Sequence, residues 1–99
     1  MNKLNLQIKS VALDDMEKIA DFIAKDNIDA AKNLLNDFYI AFDNLCTFPN
    51  MGKIRKNFTY QNVRFLQVKQ NYVIVYNVKN NAIYILRVLS NYQEICNLL

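Results

Sequence analysis

The sequence predicts an α+β domain: a helical hairpin packed on one face of a mainly antiparallel sheet, in the order β-α-α-β-β-β. Three observations predict it. Asn62 to Leu89 reads NVRFLQVKQNYVIVYNVKNNAIYILRVL, runs of Val, Ile, Tyr and Phe broken by short polar pairs, the signature of strands joined by tight hairpins. Two earlier stretches repeat apolar residues at helical spacing. Lys3 to Lys9 alternates, with Leu4, Leu6 and Ile8 on one side and Asn5 and Gln7 on the other, as a half-buried strand does.

Ser10 follows the first strand and is placed to cap a helix. From Ala12 to Lys25 the stripe is Ala12, Met16, Ile19, Ala20 and Ile23, and the acids Asp14 and Asp15 suit the positive end of the helix dipole. Asp26-Asn27 breaks that helix, and Asn27 or Asp29 caps the next. The second helix runs from about Ile28 to Cys46 on Ala31, Leu34, Leu35, Phe38, Ala41, Phe42 and Leu45. Its run Phe38-Tyr39-Ile40-Ala41-Phe42 is apolar nearly all round. That pattern fits burial under both the sheet and the first helix, or a surface left for a partner. Phe48-Pro49-Asn50-Met51-Gly52 ends the helix, and Lys53 to Gln61 is a polar, basic connector.

In the meander, Gln70-Asn71 and Asn80-Asn81 are the turns, and Asn tolerates the positive φ that two-residue hairpins require. Two-residue turns pair Lys69 with Tyr72 and Lys79 with Ala82. The rows are then Arg64–Asn77–Tyr84, Leu66–Val75–Leu86 and Val68–Val73–Val88 on one face, and Phe65–Tyr76–Ile85 and Gln67–Ile74–Arg87 on the other. Both faces are mostly apolar, which makes the hairpin central, and each carries one Arg. Asn91 to Leu99 can form a short helical turn, with Ile95, Leu98 and Leu99 over one edge.

Ninety-nine residues, 53% of them apolar and 12% aromatic, make one globular domain, residues 1–99, with enough core to need no metal or disulfide. Cys46 and Cys96 read as reduced thiols in a cytoplasmic protein. No run is long enough to span a membrane. The net charge is +3, and its distribution is uneven. Most acids fall in the helices, whereas from Lys53 to Arg87 every charge is positive: Lys53, Arg55, Lys56, Arg64, Lys69, Lys79 and Arg87. A half-molecule of one sign suits an acidic or phosphate-bearing partner; Lys along a sheet edge also guards against aggregation.

There is no His, which removes the commonest general base and metal ligand. The cysteines lack zinc spacing, and a single Gly cannot build a phosphate loop. No metal and no cofactor is expected. Asp14-Asp15 reads as solvated helix surface. Arg, Lys and Tyr remain, groups that stabilise phosphate charge but are poor bases near neutral pH.

Nearly the whole chain resembles the RelE/ParE superfamily of type II toxin–antitoxin toxins. DMEKIADFIAKDN followed by IDAAKNLL looks like the family's first helix, polar break and second-helix start. Leu45-Cys46-Thr47-Phe48-Pro49-Asn50-Met51-Gly52-Lys53 looks like its L-x-x-x-P-x-x-G-basic junction. Val63-Arg64, Tyr72-Val73-Ile74-Val75-Tyr76 and Ile83-Tyr84-Ile85-Leu86-Arg87-Val88 look like its R…Y-x-I-x-Y…I-x-I-L-R-V sheet. The resemblance implies a small basic toxin neutralised by a cognate antitoxin, with Phe38, Tyr39, Phe42 and Arg87 as antitoxin contacts and a homodimer or a heterotetramer with antitoxin as the assembly.

The absence of His, the lack of a basic residue in Ser90-Asn91-Tyr92-Gln93-Glu94 and the P-x-x-G junction place the chain nearer the ParE branch. That branch implies a poison that binds DNA gyrase, with Lys53, Arg55, Lys56 and Arg64 toward the target. The alternative is a RelE-like, ribosome-dependent mRNA endonuclease, in which Arg55, Arg64, Lys69 and Arg87 hold the scissile phosphate and Lys53 and Lys56 the RNA backbone. A third reading is an interaction domain or inactive homologue, with Arg64 and Arg87 bonded to backbone carbonyls at the sheet ends.

Overall fold

A computed structural model of the chain describes residues 3–54 and 63–90. Strand β1 (Asn5–Ile8) leads into the helices α1 (Ser10–Ala24) and α2 (Ile28–Thr47). A two-residue strand β2 (Lys53–Ile54) follows, then β3 (Val63–Val68), β4 (Tyr72–Lys79) and β5 (Ala82–Leu89). The five strands form one sheet in the order β1-β5-β4-β3-β2. Only the β1–β5 pair is parallel. The α+β class, the helical hairpin and the antiparallel meander agree with the sequence reading. The short strand β2 lies within what the sequence presents as a connector. Arg55, Lys56 and the stretch Asn91 to Leu99, Cys96 included, lie outside the described residues.

The helix starts differ in an instructive way. Ser10 is the first residue of α1 rather than its cap; Lys9 takes the cap position with no side-chain bond, and its carbonyl accepts from the Ala12 and Leu13 amides. No acid stands in the first turn of α1, so Asp14 and Asp15 do not serve its dipole. Asn27 does cap α2: its side chain accepts from the Ala30 N–H at 3.0 Å. Between the helices, Ile23 O accepts from both Asp26 and Asn27.

The main core lies between the helices and the sheet. Phe38, Phe42 and Leu45 of α2 and Met16 of α1 pack on Ile74, Tyr76, Ile83, Ile85 and Val88. Phe38 meets Tyr72 edge to face, with ring centroids 5.7 Å apart. A smaller cluster, Phe65, Val73, Val75 and Leu89, is buried on the opposite face.

The second hairpin is as expected: Lys79 pairs with Ala82, and Asn80 and Asn81 both have positive φ, 53° and 62°. Asn81→Gly removes the residual cost of a side chain in that conformation and is expected to raise stability by about 0.5–1 kcal/mol in urea denaturation. The first hairpin corrects the expectation. Its loop has three residues, Lys69-Gln70-Asn71, with Lys69 at φ 54°, so Val68 rather than Lys69 pairs with Tyr72. Gln67 donates its side-chain amide to Gln70 O at 3.1 Å, and the Lys69 ammonium sits 2.8 Å from Asp37 of α2. These bonds hold the longer loop.

One added loop residue turns β3 over relative to β4. Arg64, Leu66 and Val68 therefore align with Tyr76, Ile74 and Tyr72. A bulge on β5 then places Leu86 between the pairs Tyr76–Ile85 and Val75–Arg87, and brings Val88 opposite Ile74. The expected rows Arg64–Asn77–Tyr84 and Gln67–Ile74–Arg87 do not form; the first retains only its Asn77–Tyr84 pair. A pattern apolar on both faces cannot reject a one-residue slip, because either choice buries hydrophobic side chains.

Candidate functional site

The segment after α2 is fastened from beneath by one tyrosine. Tyr76, fully buried in β4, donates its hydroxyl to Pro49 O at 2.8 Å. The same oxygen accepts the Gly52 N–H at 2.8 Å, and Arg64 of β3 donates to Gly52 O at 2.8 Å. Burial pushes the Tyr76 phenol above its ordinary pKa, against smaller opposing pulls from the Gly52 N–H and the Arg64 charge.

Gly52 is required by proximity: a Cβ there would lie 2.6 Å from Tyr76 Cε1. Its φ is not positive, so space and not backbone conformation selects glycine. The result is a rigid step that delivers Lys53 and Ile54 to the sheet edge, where they pair with Phe65 and Arg64. Both are exposed, next to exposed Met51 and Phe48. The outcome is a mixed basic and apolar rim at the β2 end of the sheet.

Arg87 works at the other side. Its Nε lies 2.6 Å from Asp15 Oδ2 and its Nη2 2.8 Å from Asp15 Oδ1, a two-pronged ion pair. Asp15 Oδ2 also accepts the Val88 N–H at 3.1 Å. Asp15 is thus a half-buried strut between α1 and β5, not the solvated surface acid that its sequence position suggests.

The cations expected to gather around one phosphate stand apart. Arg64 reaches Gly52, Arg87 reaches Asp15, and Lys69 lies past the far end of β3 from Arg64, five residues or roughly 16 Å along the strand. Lys53 lies at the edge. Arg55 and Lys56 fall outside the described residues. Of the side chains expected to meet a partner, Phe38 and Phe42 are fully buried and belong to the core. Tyr39 is 48% exposed and leans edge to face on Phe42.

Ile40, in the α2 run that the sequence offers to a partner, is exposed; the sequence reading did not single out the other exposed apolar side chains, Phe48, Met51, Ile54 and above all Phe22, 72% exposed. The signal was present for Phe22, which falls off the α1 stripe. It lines a groove of about 320 Å³ with Lys18, Ile19 and Ile23 of α1, Tyr72 and Ser90. Among the described residues no cluster of side chains could hold a metal ion, and no helix is long and apolar enough to cross a membrane. Cys46 is buried, and burial pushes its thiol pKa up.

Residues 6–94 match the family model described as the ParE toxin of the type II toxin–antitoxin system parDE. A solved structure titled as the chromosomal ParDE system of P. aeruginosa is similar, with a TM-score of 0.76 and 19% identity over 91% of this chain and 98% of that one. The toxin–antitoxin complex RelBE2 of Mycobacterium tuberculosis contains a chain similar at a TM-score of 0.62, with 18% identity over 90% of this chain and 99% of that one. A search of curated proteins gives no match.

Proposed function

The chain belongs to the ParE toxin family of type II toxin–antitoxin systems, and from that premise we propose that it arrests growth by binding DNA gyrase, with no chemistry of its own, and that a cognate antitoxin neutralises it. One observation carries the choice of binding over RNA cleavage: the placement of the arginines. Cleaving a phosphodiester without metal or His needs several cations converging on one phosphate. Here Arg64 is committed to the Gly52 carbonyl beside β2 and Arg87 to the Asp15 carboxylate of α1, so each is spent on a different partner within the fold. Both build the fold, and the surface they support is a rim suited to a macromolecular partner.

The exposed apolar residues on the helices, Phe22, Tyr39 and Ile40, support antitoxin binding, because apolar side chains this exposed gain most from being covered. The P. aeruginosa and M. tuberculosis relatives, from a ParDE system and a RelBE2 complex, support the same kind of partner.

The test is a supercoiling assay with purified gyrase. The chain is expected to inhibit supercoiling in proportion to its concentration, and induction in cells is expected to raise the DNA-damage response while ribosome-bound mRNA stays intact. Unaffected supercoiling at saturating toxin, with mRNA cut at codon boundaries, rejects the gyrase reading in favour of the ribosome-dependent endonuclease.

A further inference from the structure

On the sheet face turned away from the helices, a pocket of about 270 Å³ is lined by Lys9, Asn77, Lys79, Asn80, Tyr84 and Leu86. It lies where the β4–β5 hairpin meets the end of β1. Asn77 and Tyr84 are paired across the two strands, and Gln7 continues their row. Among the described residues two cations line the pocket and no acid does. No ion pair joins Lys9 or Lys79 to a carboxylate among the described residues. Asn77 Oδ1 is buried with no hydrogen-bond partner. A buried acceptor left unpaired is unfavourable, so an incoming N–H is favoured there. The terminal torsion of Asn is soft enough to turn Oδ1 toward the pocket.

We propose that this pocket receives an acidic residue of an extended peptide: its carboxylate between the Lys9 and Lys79 ammonium groups, its own backbone N–H on Asn77 Oδ1. An Asp or Glu residue carries an anion and an N–H donor close together, and the pocket offers their complements close together. A nucleotide fits less well. The Lys9 ammonium already lies 5.4 Å from the Tyr84 ring centroid, over its face, where a base would stack. The natural source of the peptide is the antitoxin, so the inference rests on the toxin reading and adds a location to it. The site lies on the sheet face opposite the exposed helix residues, so the antitoxin must reach both sides of the domain.

The probe is the blocked tetrapeptide acetyl-Asp-Glu-Asp-Glu-amide, with AMP and inorganic phosphate in parallel, added to the full chain and followed by proton–nitrogen correlation spectra. The peptide is expected to give saturable shifts at the Asn77 side-chain amide, Lys9, Lys79 and Tyr84. Lys79→Glu is expected to weaken binding about tenfold or more, and Lys9→Gln to weaken it less. Both positions are exposed, and unchanged melting temperatures are expected for both variants. Silence with the peptide overturns the proposal; shifts with AMP alone assign the pocket to nucleotides, and shifts with phosphate alone to simple anions. The two readings fail separately. A toxin whose Lys79→Glu variant is neutralised as well as the original refutes the pocket alone. Peptide binding by a chain harmless to gyrase and to cells refutes the toxin reading alone.

Discussion

Gly52→Ala is expected to cost about 2–4 kcal/mol, a large share of what a domain of this size has. The added methyl would sit 2.6 Å from Tyr76 Cε1 and 2.7 Å from its hydroxyl oxygen. The ring cannot withdraw, because it is fully buried and its hydroxyl is held at both Pro49 and Gly52. Moving Gly52 instead breaks its N–H bond to Tyr76 and its carbonyl bond from Arg64. Overpacking and the lost bonds therefore add. Tyr76→Phe keeps the ring and removes only the shared oxygen, leaving Pro49 O and the Gly52 N–H without it. It is expected to cost about 1–3 kcal/mol.

The pH dependence separates these variants. The folded-state pKa of Tyr76 is raised, so its contribution is complete below the ordinary value near 10 and falls as pH rises through the window between that value and the higher folded one. There the unfolded chain has released a proton that the native chain still binds. Alkaline urea denaturation should show this decline in the parent protein and a shallower one in Tyr76→Phe. Equal slopes would mean that Tyr76 ionises freely in the fold.

Asp15→Ala is expected to cost about 2–3 kcal/mol. The pair with Arg87 is neither exposed nor sealed: the side chains are 13% and 29% accessible for Asp15 and Arg87. Its loss therefore falls between the 0–1 kcal/mol of surface pairs and the roughly 3–5 of buried ones. The Val88 N–H also loses its acceptor. Asp15→Asn keeps an acceptor for that N–H and should lose less. In a double-mutant cycle Asp15→Ala and Arg87→Ala should be strongly non-additive. The functional corollary is direct: Arg87→Ala should weaken toxicity only as far as it lowers the denaturation midpoint. Loss of toxicity at unchanged stability would make Arg87 a contact to the target, and loss of neutralisation at unchanged stability a contact to the antitoxin.

Local chemistry carried much of the fold into view. Helical spacing placed both helices within two residues of their ends, and the asparagine pair located the second hairpin, because each signal is contained within a few residues. What escaped was decided at a distance. The three-residue first turn is tied to Asp37 in α2 as well as to its own Gln67–Gln70 bond. A sheet apolar on both faces left nothing in the pattern to correct the resulting slip. The reason for the lone glycine is an aromatic ring 24 residues later in the chain. Asp15 looked like one of two interchangeable surface acids until the bulge brought Arg87 and Val88 to it. Phe38, Tyr39 and Phe42 looked equivalent in a helix apolar all round; packing buried two and left the third outside. For the candidate site, the basic stretch was legible, but the separation of its members by strand register was not.

The parallel pairing of Asn5 with Ala82 sets an order of assembly. β1 precedes both helices yet must wait for β5, which follows the other three strands, and the long loop between them closes only then. Until that moment β5 has no neighbour on its outer side and α1 lacks its Arg87 anchor. A chain released before β5 therefore lacks this closure, and premature termination should yield material cleared by proteases rather than a partial poison.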